Sequence, residues 1–468
     1  MDLNVNIENL GAVNSADIDI KPLTIFIGKN NTGKTWTATT ICGLLDERAL
    51  NTIIKILMEE PGKLDGLFDG ISDVVDTLSK QKSISLDLVK FVVDNFDKYF
   101  TTLSRLSPEW LNPMIGTSLS IFENTKIHLR PNIEIEKVKE EVLKAKIDDT
   151  FHSDSNLPNI RVIKEKDDSN LIIIIQESKE TVTLPPPILR EIIYKLLVSS
   201  IHDFASRNVY YLPAERTGIV TFLHRFQQHP PISNNDISSD YPVPLELNTQ
   251  PIQTLISRLK LLENSEVEKS LLQRQYTLNQ NKYAKFADII EKEVLGGEIV
   301  YESTQGTNSQ VLHYNLDSKP ELSLEMFAAS STVKDLVPLV MYLRYFLNDR
   351  DRILIDEPEM NLHPENQARF MEFITLLVNS GVRVLMVTHS PYMVNHLESL
   401  LLAGKTNVSD DFVNKFYLRT RDSFISQDNL SIYLFEDGTA KNILSDDGID
   451  LSTYDTVANQ INDIYVGV

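Results

Sequence analysis

Three short clusters of residues could do chemistry. The first, Gly28-Lys29-Asn30-Asn31-Thr32-Gly33-Lys34-Thr35, fits the spacing G-x-x-x-x-G-K-[ST]. Its two glycines permit a tight turn whose N–H groups face inward, and a following helix would add the positive end of its dipole. That makes a cradle for phosphate oxygens. In that setting Lys34 reaches β and γ phosphates, and the Thr35 hydroxyl suits Mg²⁺. The second cluster is Asp356-Glu357, closing the apolar run Ile353 to Ile355. An aspartate there can hold Mg²⁺ through water, and a glutamate one residue on can polarise an attacking water. Pro358 to Pro364 follows, with two prolines and the polar Glu359 and Asn361 making a fixed loop beside the acids. The third is Thr388-His389-Ser390-Pro391 after Val382 to Val387. A histidine at a strand end can hydrogen-bond a γ-phosphate while neutral near pH 7.

These clusters need elements to bring them together. Leu23 to Ile27 is apolar and strand-sized, and a helical pattern runs from Lys34 to about Leu50. Leu3 to Ile7 and Ala16 to Ile20 alternate like strands, and Asn208 to Leu212 reads as another short strand. Near the other end, helices are expected over Ser330 to Phe346 and Pro364 to Ser380, with strands over Arg352 to Ile355 and Val382 to Val387. Strands alternating with helices at both ends indicate an α/β core with parallel strands, whose ends would converge on one crevice. Between them, Thr52 to Phe100 is mostly helical. Arg161 to Ile163, Leu171 to Gln176 and Thr181 to Leu184 read as an antiparallel meander. Gln227 to Pro251 reads as a loop and Gln253 to Leu295 as helical. Heptads are not sustained, so a long coiled-coil arm is not expected.

Composition narrows the class further. The 468 residues carry 45 Lys+Arg against 66 Asp+Glu, a net charge of −21, with 42% hydrophobic residues and one cysteine. A sizeable core is affordable in apolar residues, which argues against disorder. Cys42 alone excludes a disulfide scaffold and a cysteine-only metal cage and suits a reducing compartment. The opening residues, acidic and polar, do not resemble a signal peptide, and no apolar run is long enough to span a bilayer. The expectation is a cytoplasmic chain with no membrane partner. The acidity argues against a surface that coats nucleic acid; a contact stays open only through a local basic patch.

With these pieces in hand the chain resembles the ABC-type ATPase heads shared by RecF, SMC proteins and the overcoming-lysogenization-defect (OLD) family. It looks closest to the OLD-like branch of AAA-type ATPases common in anti-phage systems, such as the Septu- and PARIS-like ATPase subunits. The matching phrases are Ile7 to Ala12, Ile27 to Thr35, Tyr211 to Arg216, Ile355 to Pro364 and Thr388 to Pro391. The resemblance implies ATP and Mg²⁺ as cofactors, with residues 28–35 binding nucleotide and Thr35 and Asp356 at the metal. It makes Glu357 the general base and His389 the switch histidine. In these families a Ser-Gly loop opens a helix and touches nucleotide held by the opposite subunit. Ala329 to Asp335 stands in that place, so Ser330 and Ser331 are candidate contacts, although Thr332 replaces the usual glycine. An ordinary serine N-cap is the other reading of the same residues. No glutamine loop can be placed. Arg216 reads either as part of a surface turn with an adjacent charge pair or as a contact to nucleotide or a dimer partner.

The fold class expected is therefore α/β: a P-loop ABC-ATPase head with a mixed sheet and an antiparallel β-meander lobe, interrupted by helical insertions. The expected division is 1–60 and 296–468 as the two parts of the head, 61–115 as a helical insertion, 116–216 as the meander lobe and return, and 217–295 as a loop plus helical insertion. Residues 392–468 are too few for the Toprim nuclease domain that many OLD proteins append. The leading expectation is thus a Mg-dependent ATPase acting as sensor and scaffold in an anti-phage complex. It would be at least a dimer of heads and would gate a separate effector protein, a nuclease. A RecF/SMC-like DNA-repair clamp and a nucleotide-gated scaffold with little turnover are the alternatives.

Overall fold

The computed structural model describes residues 2–64, 67, 68, 70–117, 119–151, 158–176, 184–205, 207–228, 249–277, 282–303, 310–406 and 408–452. The chain forms two compact units. One comprises residues 1–6, 43–110 and 126–207, the other 7–42, 111–125 and 208–468.

The second unit carries every candidate site residue named above. Its sheet runs Val13–Ile20, Thr439–Asn442, Leu430–Glu436, Leu23–Gly28, Arg383–Val387, Arg352–Asp356, Val209–Leu212. The strand Leu23–Gly28 lies between two parallel neighbours, Leu430–Glu436 and Arg383–Val387. Arg352–Asp356 continues the parallel set, with Asp356 opposite Val387, and Val209–Leu212 closes it, with Leu212 opposite Ile355. Leu23 to Ile27 and Arg352 to Asp356 are buried at every position. Continuous burial is what a parallel strand covered by helices on both faces requires. The helices Ser331–Tyr345, Pro364–Asn379 and Pro391–Lys405 cover one of those faces, packing Leu336, Val340, Phe370, Ile374, Met393 and Leu397 in one core with Leu23, Ile25, Ile353 and Ile355. Four parallel strands therefore finish on one edge, at Gly28, Val387, Asp356 and Leu212. A separate antiparallel sheet of Gly297–Ser303, Gln310–Leu316 and Lys319–Glu325 leads into the Ser331–Tyr345 helix.

The first unit holds the meander. Its sheet order is Ser83–Asp87, Asn170–Ile175, Ile160–Lys164, Ile147–Phe151, all antiparallel. The sequence reading found the two middle strands. Ile147–Phe151 went unread, and Ser83–Asp87 interrupts what reads as a helical stretch from Thr52 to Phe100. Ser-Ile-Ser-Leu-Asp alternates polar and apolar residues, a period-two signal only five residues long inside helical flanks. It pairs Ile84 with Ile173 and Leu86 with Leu171. The third strand expected over Thr181 to Leu184 lies largely outside the described residues, as does most of the loop expected over Gln227 to Pro251. The helical pattern from Lys34 is two helices, Lys34–Leu44 and Glu47–Glu59, because the Asp46 carboxylate caps the second by accepting from the Arg48 N–H. Gln253 to Leu295 is likewise divided, into Gln250–Leu261, Ser265–Thr277, Ala284–Ile290 and a π-turn over Glu291–Leu295. Among the described residues no helix is long and apolar enough to cross a membrane.

Candidate nucleotide site

The loop after Leu23–Gly28 shows why its glycines are needed. Gly28 has φ +136°, and a Cβ there would sit 2.4 Å from the Phe435 carbonyl oxygen of the neighbouring strand. Gly33 has φ +89°, with the Val13 side chain 2.6 Å from where a Cβ would lie. Both positions exclude any L side chain. Between them Asn31 takes φ +61°, a conformation asparagine tolerates better than most residues. The loop closes on the helix Lys34–Leu44, whose first N–H groups are left free of intrahelical partners.

An open cleft of about 1050 Å³ lies over this loop. Asn30, Asn31, Thr32, Gly33, Lys34 and Thr35 line it together with Glu357 and His389, so three separate sequence clusters meet there. Lys34 is 4% exposed and donates from Nζ to the Lys29 carbonyl at 2.5 Å and to the Thr32 hydroxyl at 3.3 Å. Burial lowers its pKa, opposed by the charges of Asp356, Glu357 and Glu359. Lys29 turns outward and pairs with Glu436 at 3.6 Å.

Thr35 donates to Asp356 Oδ1 at 3.3 Å, joining the loop to the acidic strand end. Burial, and secondarily the charge of Glu357, raises the Asp356 pKa to about 7. A carboxylate so desolvated gains most from a cation. A hydroxyl and a carboxylate oxygen side by side are the hard donors that Mg²⁺ takes, and Mg²⁺ fills its remaining positions with water and phosphate. Among the described residues no group of three or more His, Cys, Asp and Glu could hold a metal by itself. Asp356 also lines an adjoining pocket with Thr35, Trp36, Tyr211 and Glu215.

Glu357 follows with φ +48°, in the left-handed region, its N–H bonded to the Val387 carbonyl at 3.0 Å. This conformation aims the residue out of the strand direction, into the cleft. His389 is held from behind. Glu359 accepts from the Thr388 hydroxyl at 2.7 Å and from the His389 N–H at 2.6 Å. Burial and then the Lys34 charge lower the imidazole pKa, so the ring is neutral at pH 7 and keeps one donor and one acceptor.

Ser330 and Ser331 stand apart. Both are exposed at the start of Ser331–Tyr345 and neither lines the cleft. Ser330 is the N-cap, accepting from the Val333 N–H at 3.3 Å. Thr332 donates instead to the Asn361 carbonyl at 2.6 Å, tying this helix end to the loop that follows Glu357.

Several residues of the site escaped sequence reasoning. Gly11 and Ala12, in the turn between Asp2–Leu10 and Val13–Ile20, form one wall of the cleft, and half-buried Trp36 forms another. Gly11 at φ +57° leaves room for the indole, which a Cβ would meet at 2.7 Å. The signals for Gly11 and Ala12 were a glycine between two alternating stretches and the family-like phrase Ile7 to Ala12, neither of which assigns them to the cleft. Glu359 carries no local signal for its role, since its partners lie some thirty residues away. Arg216 fits neither reading offered for it: it is 2% exposed and its guanidinium binds main-chain carbonyls of the acidic strand end.

Phosphate-cradling loop, acidic strand end and histidine on one edge of a parallel sheet define a P-loop nucleoside triphosphatase fold. The chain belongs to the AAA ATPase domain family, whose profile matches residues 1–394. No curated protein matches it. Among solved structures it is similar to an SMC head bound to the C-winged helix domain of ScpA, at 12% identity and TM-score 0.36, over 96% of this chain and 98% of that one. An Smc head with an extended coiled coil, bound to the C-terminal domain of ScpA, from Pyrococcus furiosus, gives 12%, 0.35, 99% and 100%. The SMC head domain from Thermotoga maritima gives 10%, 0.29, 95% and 98%.

The cleft supplies a spectroscopic test. The chain has two tryptophans. Trp36 lines the cleft, whereas Trp110 is 6% exposed in the other unit. Adding ATP is expected to change tryptophan emission in the parent and in Trp110→Phe, and to leave Trp36→Phe silent; a persistent change in Trp36→Phe would remove Trp36 from the cleft wall.

Proposed function

We propose that the chain hydrolyses ATP with Mg²⁺ and that its heads act as a dimer. The observation that supports this best is the meeting of Lys34, Thr35, Asp356, Glu357 and His389 on one sheet edge, built from segments more than three hundred residues apart. In this reading the loop N–H groups and Lys34 hold the triphosphate, and Thr35 and Asp356 hold Mg²⁺. Held there, Mg²⁺ would supply positive charge to offset the charge of the triphosphate. Glu357 accepts a proton from the attacking water, and neutral His389 donates a hydrogen bond toward the γ-phosphate end of the cleft. Ser330 and Ser331, exposed and outside the cleft of their own subunit, supply hydroxyl and helix N-terminal donors to nucleotide held by a second copy.

The biological reading goes one step further. Resemblance to OLD-like ATPases, together with the acidic surface, supports a sensor and scaffold in an anti-phage complex that gates a separate effector, a nuclease, through ATP-dependent head assembly. An acidic surface suits a basic partner region. A DNA-clamping reading draws on one observation: Arg369, Lys415 and Arg419 line a single open pocket of about 1000 Å³ with one acid, Glu293, a local excess of cations on an acidic protein although Arg369 is paired with Glu365.

Sedimentation separates these readings. ATP with Mg²⁺ is expected to convert monomer to dimer in Glu357→Gln, and Ser330→Arg/Ser331→Arg to block that step while nucleotide binding persists. A monomer under all conditions would overturn the dimer mechanism. Retention on DNA that falls with salt and with Arg419→Glu would select the clamp instead.

A further inference from the structure

Arg216 is almost wholly buried, at 2% exposure, and its hydrogen bonds go to backbone. Nη1 donates to the carbonyl oxygens of Pro213 at 3.1 Å and Asp356 at 2.7 Å, and Nη2 donates to that of Glu357 at 3.0 Å. The Asp356 and Glu357 carbonyls belong to the two peptide planes that flank the Glu357 Cα. One rigid guanidinium fork therefore grips both planes, and the Glu357 N–H is held by the Val387 carbonyl at 3.0 Å. Together these contacts pin the two dihedrals of a residue at φ +48°, where a side chain is not favoured.

We propose that Arg216 is a positioning residue for Glu357, holding its backbone in the left-handed conformation that points the carboxylate into the cleft. This rests on the reading of Glu357 as the general base. Asp335 balances the buried charge from 3.9 Å and is itself held by Asn361 Nδ2 at 2.6 Å and by the Thr217 hydroxyl. A buried guanidinium without such a carboxylate would be costly to desolvate. The chemistry requires arginine. A lysine would bring the charge but a single ammonium point, able to follow one carbonyl and leave the other peptide plane free to rotate. Arg216 opens the helix Arg216–Gln228, four residues beyond the end of Val209–Leu212, the strand that pairs with the acidic strand Arg352–Asp356. No part of it lines the cleft, so it acts through Glu357 and not on nucleotide.

The test is a double-mutant cycle with two readouts, steady-state ATP turnover and the Kd of a fluorescent ATP analogue. Arg216→Lys is expected to lower kcat by roughly tenfold to a hundredfold, the scale of a misplaced catalytic group, with Kd within about threefold of the parent. In the Glu357→Gln background the same change should cost less than about twofold, because the group through which Arg216 works has already been removed. An equal loss in both backgrounds, a parallel loss of nucleotide affinity, or parental turnover in Arg216→Lys would each overturn the proposal. If Arg216→Lys does not fold, Asp335→Asn carries the test: it keeps the shape and the Asn361 contact but removes the balancing charge. It should lower kcat and spare Kd, and unchanged kcat would overturn the proposal. Turnover that Glu357→Gln leaves intact would sink the general-base reading instead, which is a different result from turnover sensitive to Glu357→Gln but indifferent to Arg216→Lys.

Discussion

Glu357→Gln will hold ATP and cease to turn it over. Glutamine keeps the length and the hydrogen-bonding shape of the side chain but cannot take a proton from water, so the loss is the general-base contribution, about 10²- to 10⁴-fold in kcat. Binding should survive because the phosphate-facing groups lie elsewhere. Lys34 and the loop N–H groups sit across the cleft, and Thr35 and Asp356 are joined to each other at 3.3 Å. Removing one negative charge beside Asp356 should favour nucleotide if anything, since Glu357 is the largest charge contribution holding that carboxyl near pKa 7. The backbone should also be retained. The left-handed turn at Glu357 is held by Arg216 and Val387 through main-chain atoms, which the substitution does not touch. Single-turnover hydrolysis measured beside nucleotide affinity reads both arms. Parental turnover in Glu357→Gln would remove Glu357 from the chemistry, and loss of affinity would make it a binding residue.

How much of this was legible in the sequence depends on the range over which each residue acts. The phosphate loop was legible because its constraints are local: Gly28 and Gly33 must be glycine within one turn of chain, and the next residues start a helix. The strand ends at Asp356 and His389 were legible because buried parallel strands read as unbroken apolar runs. Their convergence followed from topology, since parallel strands place successive C-terminal ends on one edge. Ser83–Asp87 was not legible, because five residues with partly exposed Ile84 and Leu86 give too weak an alternation against flanking helices. Arg216 was opaque for another reason. Its partners are carbonyl oxygens, which every residue has, so nothing in the residue types around positions 356 and 357 announces an arginine 140 positions earlier. Glu359 is the same case, holding the Thr388 hydroxyl and the His389 N–H from a loop that reads as polar punctuation. Backbone-directed side chains are the part of a site that residue patterns leave unwritten.

Lys34→Ala carries the other large effect, on binding. In the resting structure the ammonium is folded against its own loop, donating to the Lys29 carbonyl at 2.5 Å and the Thr32 hydroxyl at 3.3 Å, and it is nearly buried. Those two contacts are neutral acceptors. A triphosphate offers charged ones, which add direct attraction between opposite charges to the hydrogen bond. Exchange of loop oxygens for phosphate oxygens is therefore favourable, and the phosphate charge offsets the burial that lowers the lysine pKa. Losing a charged donor of this kind costs about 1.5–3 kcal/mol, or roughly tenfold to 150-fold in affinity for ATP. The fold should tolerate the change, since alanine suits the first turn of Lys34–Leu44 and Gly28 and Gly33 still shape the loop. The substitution also removes a positive charge that lowers the His389 pKa, so the imidazole should titrate at higher pH in the variant, an effect histidine NMR can follow. Calorimetric titration with ATP and Mg²⁺ checks the affinity. Parental affinity in a folded Lys34→Ala protein would mean that the cleft over residues 30–36 is not where the triphosphate sits, and with it the roles assigned to Thr35, Asp356 and Glu357 would fall.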